Sequence, residues 1–403
     1  MTEQLVQLNK KTKYNEFADK NPFENINKLL NHMDRFSAWG QGKDPFPVNI
    51  ELFGTNYCNF SCFFCVSAFS HIGNPTMTKD EKNKALNHLD TINAISSHPE
   101  RRKGLDPIYV KKFLKEAKEL GLKSITGSGG GEITMWSGFR EVMEYAKEIG
   151  LEIALMTNGA WNKKDTEFIK DNMKWVRVSL DTFDSVRYRN EKATGLFPKV
   201  IENIKNVVGG KAKIGLNCNV GDYNKDEIIE FSVDAKKLGV NYAQYRPILP
   251  LWFDTSVNQN YRKPYPKEWV EELKPKLFAA EQLSTDDFKV YISWDKFEGM
   301  AMPNFGRLYD KCKYHHFQCV LNADGNLYVC AYRMLEPDKF AFGNIYEQSA
   351  EEIWNSEKRK KVVNFCENDL DIERCQVKCK GENINNFIHL IENPKEESDV
   401  NFL

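Results

Sequence analysis

Apolar and polar positions alternate in blocks between residues 48 and 248. Short apolar runs such as VNIELF and WVRVSLDT have the length and composition of buried β-strands, and each precedes a stretch with helical periodicity. The pattern predicts six strands, at 48–53, 124–129, 152–159, 175–182, 212–220 and 240–248. Strands that alternate with helices pair in parallel through right-handed crossovers. Because a closed barrel needs eight such units, we expect an α/β fold with a partial, open (β/α)6 parallel barrel.

The pattern changes on both sides of this barrel. The chain before it is polar and helical in character, and the chain after it is rich in proline and aromatic residues, which favours a bridge over another strand–helix unit. Further on, Asp324 and Gly325 separate two apolar runs, a strong hairpin signal, and Ser349 opens a predicted helix. The expected parts are an extension at 1–46, the barrel at 47–250, the bridge at 251–306 and a small domain at 307–403.

Composition and charge exclude several classes of protein. The chain has 403 residues, 41% of them hydrophobic and 28% charged, which is typical of a globular protein of about two domains. A net charge of −1 gives no global field that would favour nucleic acid or an anionic membrane. We find neither a secretory h-region nor a run of ~18 apolar residues. We therefore expect a cytoplasmic protein without nucleic-acid or membrane partners.

The ten cysteines form two groups, with Cys218 alone between them. In a reducing cytosol, grouped cysteines are more often metal ligands or catalytic groups than disulfides. The first group has three members in eight residues and the second has six. The groups are Cys58, Cys62 and Cys65, then Cys312, Cys319, Cys330, Cys366, Cys375 and Cys379. Two separate metal sites on two domains are the working hypothesis.

The first group follows the first strand, at the edge of the sheet where α/β proteins carry their chemistry. Three thiolates with one open position suit a catalytic zinc ion with a water ligand. They also suit an iron–sulfur cube, which normally takes four thiolates and would here keep one iron free. The zinc alternative is weaker because multi-cysteine zinc loops usually show Cys-x2-Cys pairs. Burial of three unligated thiols by packing explains the spacing least well.

The sequence Cys58-x3-Cys62-x2-Cys65, with aromatic Phe64 before the last cysteine, resembles the signature of the radical SAM superfamily. That family has the partial six-unit barrel predicted above. The resemblance implies a [4Fe–4S] cluster whose free iron is chelated by S-adenosylmethionine (SAM). It also implies reductive cleavage of SAM to a 5′-deoxyadenosyl radical that abstracts hydrogen from a substrate. The position without a fourth cysteine would then be occupied by SAM.

Further motifs fit this resemblance in order along the strands. The run GSGGGEITM resembles the family's Gly-Gly-Glu-Pro motif, which holds the SAM amino group, although Ile133 replaces the usual proline. Glycines let backbone carbonyls approach a ligand. End-of-strand polar residues match the family's remaining SAM contacts, although a helix cap is the alternative for the Ser-x-Asp pair. The expected cofactor-binding residues are Phe64, Gly130, Gly131, Glu132, Asn158, Ser179, Asp181, Asn217 and Arg246.

The second cysteine group resembles the SPASM/twitch extension of radical SAM enzymes, which holds one or two auxiliary clusters. A full module has seven cysteines, whereas this chain has six and carries Asp369 where a partner of Cys366 is expected. The resemblance implies one complete auxiliary [4Fe–4S] cluster. Its ligands by position are Cys312, Cys319, Cys330 and Cys379, while Cys366 and Cys375 would be remnants of a second site. Cys375 replacing Cys319, or a contribution from His315 or His316, stays open, although such adjacent histidines are more often surface residues.

These features favour a radical SAM oxidoreductase. An auxiliary cluster can accept an electron from a substrate radical, so dehydrogenation is the expected reaction, with epimerisation or peptide modification as the alternative. Cys218 is a weak candidate for the hydrogen donor that epimerisation requires, since core burial is the favoured explanation for it. No leader-binding domain is expected in the extension, which favours a small polar substrate such as a sugar or nucleotide-sugar. A flavodoxin or ferredoxin is the expected electron donor, and a non-catalytic iron–sulfur or zinc scaffold is the remote alternative.

Overall fold

The computed structural model describes residues 27–62, 64–65, 104–249, 265–302, 307–334 and 336–393. Most of the predicted N-terminal extension and the stretch between the first cysteine loop and residue 104 lie outside these ranges. The described part of the extension contains two short helices, α1 (Asn27–Leu30) and α2 (Met33–Gly40). None of the helices in the described ranges is both long and apolar enough to span a lipid bilayer.

The described residues contribute ten strands to one continuous sheet, in the order β10-β9-β8-β1-β2-β3-β4-β5-β6-β7. Neighbours from β8 through β1 to β7 pair in parallel, while β8, β9 and β10 pair antiparallel. The strands are β1 (Asn49–Phe53), β2 (Ser124–Ser128), β3 (Glu152–Thr157), β4 (Trp175–Ser179), β5 (Lys213–Val220), β6 (Tyr242–Pro247), β7 (Lys289–Ile292), β8 (Gln318–Leu321), β9 (Asn326–Tyr328) and β10 (Ala341–Asn344). The expected α/β fold with a partial, open parallel barrel is confirmed.

Helices follow the strands as the periodicity predicts. Asp106 begins the first of them, because its side chain accepts a hydrogen bond from the Ile108 amide and Pro107 occupies the first turn. The barrel helices are α3 (Pro107–Glu119), α4 (Phe139–Glu148), α5 (Thr166–Asn172), α6 (Ser185–Lys192), α7 (Phe197–Val207) and α8 (Ile228–Leu238). Their apolar faces cover the sheet in one continuous core.

The predicted bridge contains a further strand–helix unit. Within it, helix α9 (Lys267–Glu281) precedes β7, and β7 pairs in parallel with β6. The expectation of a bridge without such a unit was therefore wrong for residues 265–302. The proline in the middle of α9, Pro275, and the four-residue length of β7 weaken the sequence signal. Helix α10 (Trp294–Gly299) follows directly.

The C-terminal part begins with the predicted hairpin, β8 and β9, which turns at Gly325 with φ of 84°. The helix predicted from Ser349 is two helices, α12 (Ala350–Asn355) and α13 (Glu357–Asn368), each capped by a serine. Two further helices are α11 (Pro337–Phe340) and α14 (Glu382–Glu392). Because β8 also pairs with β1, this part continues the barrel sheet.

Candidate functional site

The first cysteine group lies on the loop that follows β1, with its three thiols half-buried. The Phe60 amide donates to the Cys58 sulfur at 3.4 Å, and the Cys65 amide donates to the Cys62 carbonyl at 3.1 Å. Burial, followed by the neighbouring Cys62 and Glu132, raises the pKa of Cys58. Burial also raises the pKa of Cys62 to about 12, against the lowering effect of Lys192. A metal group must displace these protons, since the thiolate is the ligand.

The first cysteine group offers three thiol ligands from one loop. Within the described part of the chain, no three cysteine sulfurs lie within 4.8 Å of one another. An iron–sulfur cube held by three thiolates keeps one iron free for a further ligand. The donor set of this loop fits such a cube.

The glycine run after β2 packs tightly against the cysteine loop. A Cβ atom on Gly131 would lie 2.1 Å from the Tyr57 carbonyl oxygen, and one on Gly130 would lie 2.6 Å from Asn56 Oδ1. The Glu132 amide donates to the same Tyr57 carbonyl at 2.8 Å. Only glycine fits at these positions without displacing a neighbour, so the run is built for close backbone approach.

Glu132 is buried, and its carboxylate accepts four hydrogen bonds from the protein. Oε1 accepts from the Thr134 amide at 3.1 Å, from the Thr134 hydroxyl at 2.7 Å and from the Thr157 hydroxyl at 2.8 Å. Oε2 accepts from the Asn158 amide at 2.7 Å. Burial raises the pKa of Glu132, while these donors act in the opposite direction. The residue thus positions the ends of β2 and β3 beside the cysteine loop, where Asn158 Nδ2 also reaches Asn59 at 2.7 Å.

Asp181 lies just beyond β4 and takes a left-handed backbone conformation, with φ of 67°. Its Oδ1 accepts hydrogen bonds from the Asn219 amide at 2.7 Å and the Asn219 side chain at 3.1 Å. Its Oδ2 forms an ion pair with Lys192, and both side chains are buried. The strained backbone and the buried pair both mark a position that the surrounding structure holds firmly.

Lys192, the last residue of α6, connects this pair to the cysteine loop. Its carbonyl accepts from the Ser61 amide at 3.1 Å, and its ammonium lies 5.0 Å from the Phe64 ring centre. Burial alone would lower the pKa of Lys192, but Asp181 and Cys62 outweigh it and raise the pKa. The residue therefore carries a permanent positive charge beside the first cysteine group. Sequence reasoning missed it, because a lysine at the end of a helix is usually solvated.

The other predicted residues near the strand ends take different positions. Ser179 ends β4 and pairs with Asn217 of β5. Asn217 is buried, and its Oδ1 has no hydrogen-bond partner among the described residues. Cys218 is 2% exposed and packs in the core, where its sulfur contacts the Asp181 carbonyl at 3.4 Å. Phe64 stacks against Tyr223 with ring centres 6.1 Å apart.

A cavity of about 300 Å³ connects the barrel to the C-terminal part. On the barrel side its walls include Ser128 and Gly129, which lead into the glycine run, and Arg246 at the end of β6. On the other side, five cysteines line it: Cys312, Cys330, Cys366, Cys375 and Cys379. The cavity therefore extends from the start of the glycine run to the second cysteine group, and none of the three cysteines of the first group is among its lining residues. Cys218 is not among its lining residues.

The second group differs from the ligand set expected by position. Cys319 is fully buried on β8, opposite Ile50 of β1, and is not among the residues that line the cavity. Cys375 does line it, and Arg333 donates to its sulfur at 3.2 Å. Burial raises the pKa of Cys312 to about 12, and the next contributors are Cys379 and Cys375. The structure thus brings Cys375 into the group and leaves Cys319 in the core.

His315 and His316 are both buried, so the expectation of surface histidines was wrong. The short helical turn Tyr314–His316 packs beneath the start of β8 and turns both rings inward. Neither histidine lines the cavity that holds the five cysteines.

Several cations line the cavity, against a single carboxylate among its lining residues, Glu51. Glu51 lies in β1 and accepts from Lys380 at 2.6 Å and from Gln318 at 2.8 Å. The cations are Arg177, Arg246, Lys296, Arg333 and Lys380. A charged residue inside an apolar strand such as NIELF was the available sequence signal for Glu51, since buried charges need a partner.

Two family models match the chain. Residues 52–235 match the radical SAM superfamily, and residues 312–380 match the SPASM iron–sulfur cluster-binding domain. The chain therefore contains a radical SAM domain followed by a SPASM domain. These domains imply SAM and [4Fe–4S] clusters as the cofactors, in agreement with the glycine run and the three-cysteine loop described above.

Two relatives illustrate the sequence similarity. The GTP 3′,8-cyclase of Clostridium perfringens is 28% identical over 198 residues, which cover 48% of this chain and 51% of the relative. The subtilosin biosynthesis protein AlbA of Bacillus subtilis is 23% identical over 325 residues, which cover 79% of this chain and 61% of that protein. The chain thus spans about half to three fifths of the length of these relatives.

Solved structures share the fold at low identity. SuiB of Streptococcus suis, bound to S-adenosylmethionine, superposes with a TM-score of 0.59 and 14% identity, covering 82% of this chain and 70% of SuiB. The protein anSMEcpe with bound AdoMet gives a TM-score of 0.55 and 18% identity, covering 79% of this chain and 83% of anSMEcpe. These likenesses extend across both domains.

Proposed function

We propose that the chain is a radical SAM enzyme whose substrate occupies the cavity between the two cysteine regions. The observation that carries this proposal is the lining of that cavity, which includes Gly129 beside the SAM motif and five cysteines of the SPASM domain. A group bound there would be within reach of both cofactor regions. Bound cluster and SAM supply one-electron chemistry, in which SAM is cleaved reductively and a hydrogen atom is removed from the substrate.

The protein's own residues divide this task. Cys58, Cys62 and Cys65 would hold the first cluster, and the glycine run would present backbone carbonyls to the SAM amino group. Glu132 positions that run through its four hydrogen bonds. Lys192 would offset the negative charge of the thiolates beside it. The remaining predicted contacts, Phe64, Asn158, Ser179, Asp181, Asn217 and Arg246, stay candidates for SAM binding.

For the auxiliary cluster we favour Cys312, Cys330, Cys375 and Cys379 as ligands. All four line one cavity wall, and Cys330 has Cys312, Cys375 and Cys379 as the strongest charged neighbours raising its pKa after burial. Cys366 also lines the wall and is the alternative if one of these four is not a ligand. One complete cluster at this wall is close enough to the substrate cavity to accept an electron, which favours net two-electron oxidation over epimerisation.

The charge of the cavity favours a substrate with an anionic group. Arg333 donates to the sulfur of Cys375 and pairs with Glu336, and Lys296 pairs with Asp295. Arg177 and Arg246 line the rest of the cavity. Guanidinium groups bind carboxylate and phosphate well. A peptide is the leading candidate, because AlbA is similar over most of the chain and a related SuiB structure contains the precursor peptide SuiA.

A nucleotide is the second candidate, since the cyclase relatives are named for GTP and phosphates would suit the same cations. The carbohydrate substrate expected from the sequence has no support in these comparisons and stays a prediction. The same holds for a flavodoxin or ferredoxin as electron donor and for a cytoplasmic location.

The test starts from protein purified without oxygen, with its clusters reconstituted and reduced by dithionite. Iron, sulfide and 5′-deoxyadenosine are measured, and about eight irons with deoxyadenosine formed would support two cubes and SAM cleavage. Zinc in place of iron, with no deoxyadenosine, would contradict the proposal. The variant with Cys58, Cys62 and Cys65 all changed to alanine should keep auxiliary iron and lose cleavage.

Substrate assays follow with acidic peptides, nucleotides and sugar phosphates in deuterated water. Product two mass units lighter than substrate, without solvent deuterium, indicates oxidation, whereas deuterium incorporated at carbon indicates epimerisation. An Arg246→Met variant should raise the KM for an anionic substrate, since the guanidinium lines the cavity. SAM cleavage without substrate should remain in that variant if Arg246 serves the substrate and not the cofactor.

A further inference from the structure

A buried group of metal-ligating side chains lies outside the cysteine sites. Ring nitrogens of His315 and His316 and a carboxylate oxygen of Glu367 all lie within 4.8 Å of one another. His315 and His316 belong to the turn before β8, and Glu367 lies near the end of α13. In the described part of the chain, this is the one group of three such residues with that spacing. No feature of the SAM or cluster chemistry uses it.

His315 gives the strongest indication that this group binds a metal ion. The side chain is 2% exposed, and neither Nδ1 nor Nε2 has a hydrogen-bond partner among the described residues. Buried polar atoms are normally paired, because an unpaired one loses its hydration without compensation. The ring packs edge-on against His316, with ring centres 4.5 Å apart and planes at 67°. A metal ion in this group would bind the lone pair of the unprotonated ring nitrogen of His315.

His316 already has the arrangement of a metal-binding histidine. Nδ1 lies 2.9 Å from Asp44 Oδ1, and Nε2 lies 2.7 Å from Glu367 Oε1. Metal-ligating histidines typically donate their second ring N–H to a carboxylate, which fixes the ring and its tautomer. Asp44 would be that carboxylate, with Nε2 and Glu367 directed at the ion. A metal would displace the proton now shared between Nε2 and Oε1.

The distance of 2.7 Å between His316 Nε2 and Glu367 Oε1 is close to the distance between two ligands of one metal ion. Two tetrahedral ligands bonded at about 2.05 Å would lie ~3.3 Å apart, so the pair must open by well under 1 Å. Asp44 is held in place by Arg359, which ion-pairs with it and stacks on Trp354 with 3.4 Å from its guanidinium carbon to the ring centre. Asp44 neutralises the charge of Arg359, so this nearby cation does not oppose a metal ion in the group.

We propose that His315, His316 and Glu367 bind a zinc ion, with Asp44 orienting His316. Two imidazoles and one carboxylate are a zinc donor set that leaves the fourth position to a water molecule. The burial of both histidines places the ion within the packing of the C-terminal part, where it would hold segments together. The ion would connect the segment before β1, the turn before β8 and α13. It would thereby fix the position of Cys366, which precedes Glu367 in the chain, at the cavity wall. The proposal does not depend on the proposed function.

Zinc binding is tested on the full chain with its clusters reconstituted, after EDTA treatment and addition of one equivalent of Zn²⁺. Mass spectrometry of the desalted protein should find one zinc per chain, with a Kd tighter than about 1 μM. Zinc K-edge absorption sees zinc separately from iron. The expected first shell contains nitrogen and oxygen at about 2.0–2.1 Å and lacks sulfur at about 2.3 Å.

Variants test the ligands one by one. His315→Gln and Glu367→Gln should each lose the stoichiometric zinc, and Asp44→Asn should weaken zinc binding by ~10–100-fold, as loss of an orienting carboxylate does elsewhere. His389→Gln, in α14 and outside the group, is the matched control and should keep it. Iron and sulfide contents equal to wild type verify that each variant is folded.

Three results would overturn the proposal. The first is wild-type protein that retains no zinc after loading, and the second is sulfur in the zinc shell, which would place the ion on cysteines. The third is zinc retained equally by wild type, His315→Gln and Glu367→Gln. If one variant loses its clusters, two measurements still test the proposal. They are the zinc K-edge spectrum of the wild type and the zinc content of the other variant.

Discussion

Glu132 Oε2 accepts a hydrogen bond from the Asn158 backbone amide at 2.7 Å. The bond joins the loop after β2 to the end of β3, two segments that are 26 residues apart in the chain. Since the Glu132 amide also donates to Tyr57 beside the cysteine loop, one residue positions three loops at the carboxyl edge of the sheet. Preorganised groups of this kind set the geometry of a cofactor site.

Replacing Glu132 by glutamine should weaken SAM binding. All four partners of the carboxylate are donors, so the glutamine NH2 must face another donor, and the Asn158 amide cannot rotate away. A hydrogen bond to a charged group contributes about 1.5–3 kcal/mol, which corresponds to ~10–100-fold in affinity. Equilibrium dialysis with labelled SAM measures the effect. Glu141→Gln, exposed on α4, is the control, and equal SAM affinity in both variants would contradict the positioning role.

Replacing Gly131 by alanine should disrupt the same region through packing. The new Cβ would lie 2.1 Å from the Tyr57 carbonyl, and forced overpacking costs about 1–3 kcal/mol. We expect a lower melting temperature and weaker SAM binding, since the cysteine loop must shift. Gly40→Ala, which meets nothing within 4 Å, is the matched control. Retention of wild-type SAM affinity by Gly131→Ala would show that the close approach is unimportant.

Replacing Lys192 by methionine should affect stability and the first cluster together. The variant leaves Asp181 buried without its cation, and breaking a buried ion pair from one side costs about 3–5 kcal/mol. It also removes a positive charge beside Cys62, so the reduced, more negative cluster is less stabilised and its reduction potential should fall. Chemical denaturation and a redox titration followed by EPR measure the two effects. Lys192→Arg keeps the charge and should keep the potential; a fall of equal size there would refute the electrostatic cause.

The alternation of apolar and polar blocks was sufficient to predict the six barrel strands and the hairpin at Gly325. It was not sufficient for β7, because four residues such as KVYI carry too little periodicity to separate a strand from a loop. The pairing of β8 with β1 joins residues about 270 positions apart. Such a contact depends on tertiary packing, which local patterns do not encode.

Sequence order alone places the three thiols of the first group on one loop after β1, and the structure has them there. Sequence order could not decide which side of β8 Cys319 faces, since a shift of one residue moves a side chain to the other face of a strand. The roles of Lys192 and Glu51 depend on which side chains lie next to them in the folded chain. Lys192 looks like an ordinary charged residue until Asp181 is seen beside it. The position of Glu51 in an apolar strand is a sequence signal, but only the structure shows its partner, Lys380.

The choice between Cys375 and Cys319 leads to the last prediction. Cys375→Ala should remove the auxiliary cluster and lower the iron content from about eight to about four per chain. Cys319→Ala should keep both clusters, because Cys319 is fully buried opposite Ile50 and away from the cavity wall. Iron and sulfide analysis with EPR of the reduced proteins provides the measurement. The converse result, iron lost in Cys319→Ala and kept in Cys375→Ala, would restore the ligand set expected by position, and unchanged iron in both would point to Cys366 as the fourth ligand.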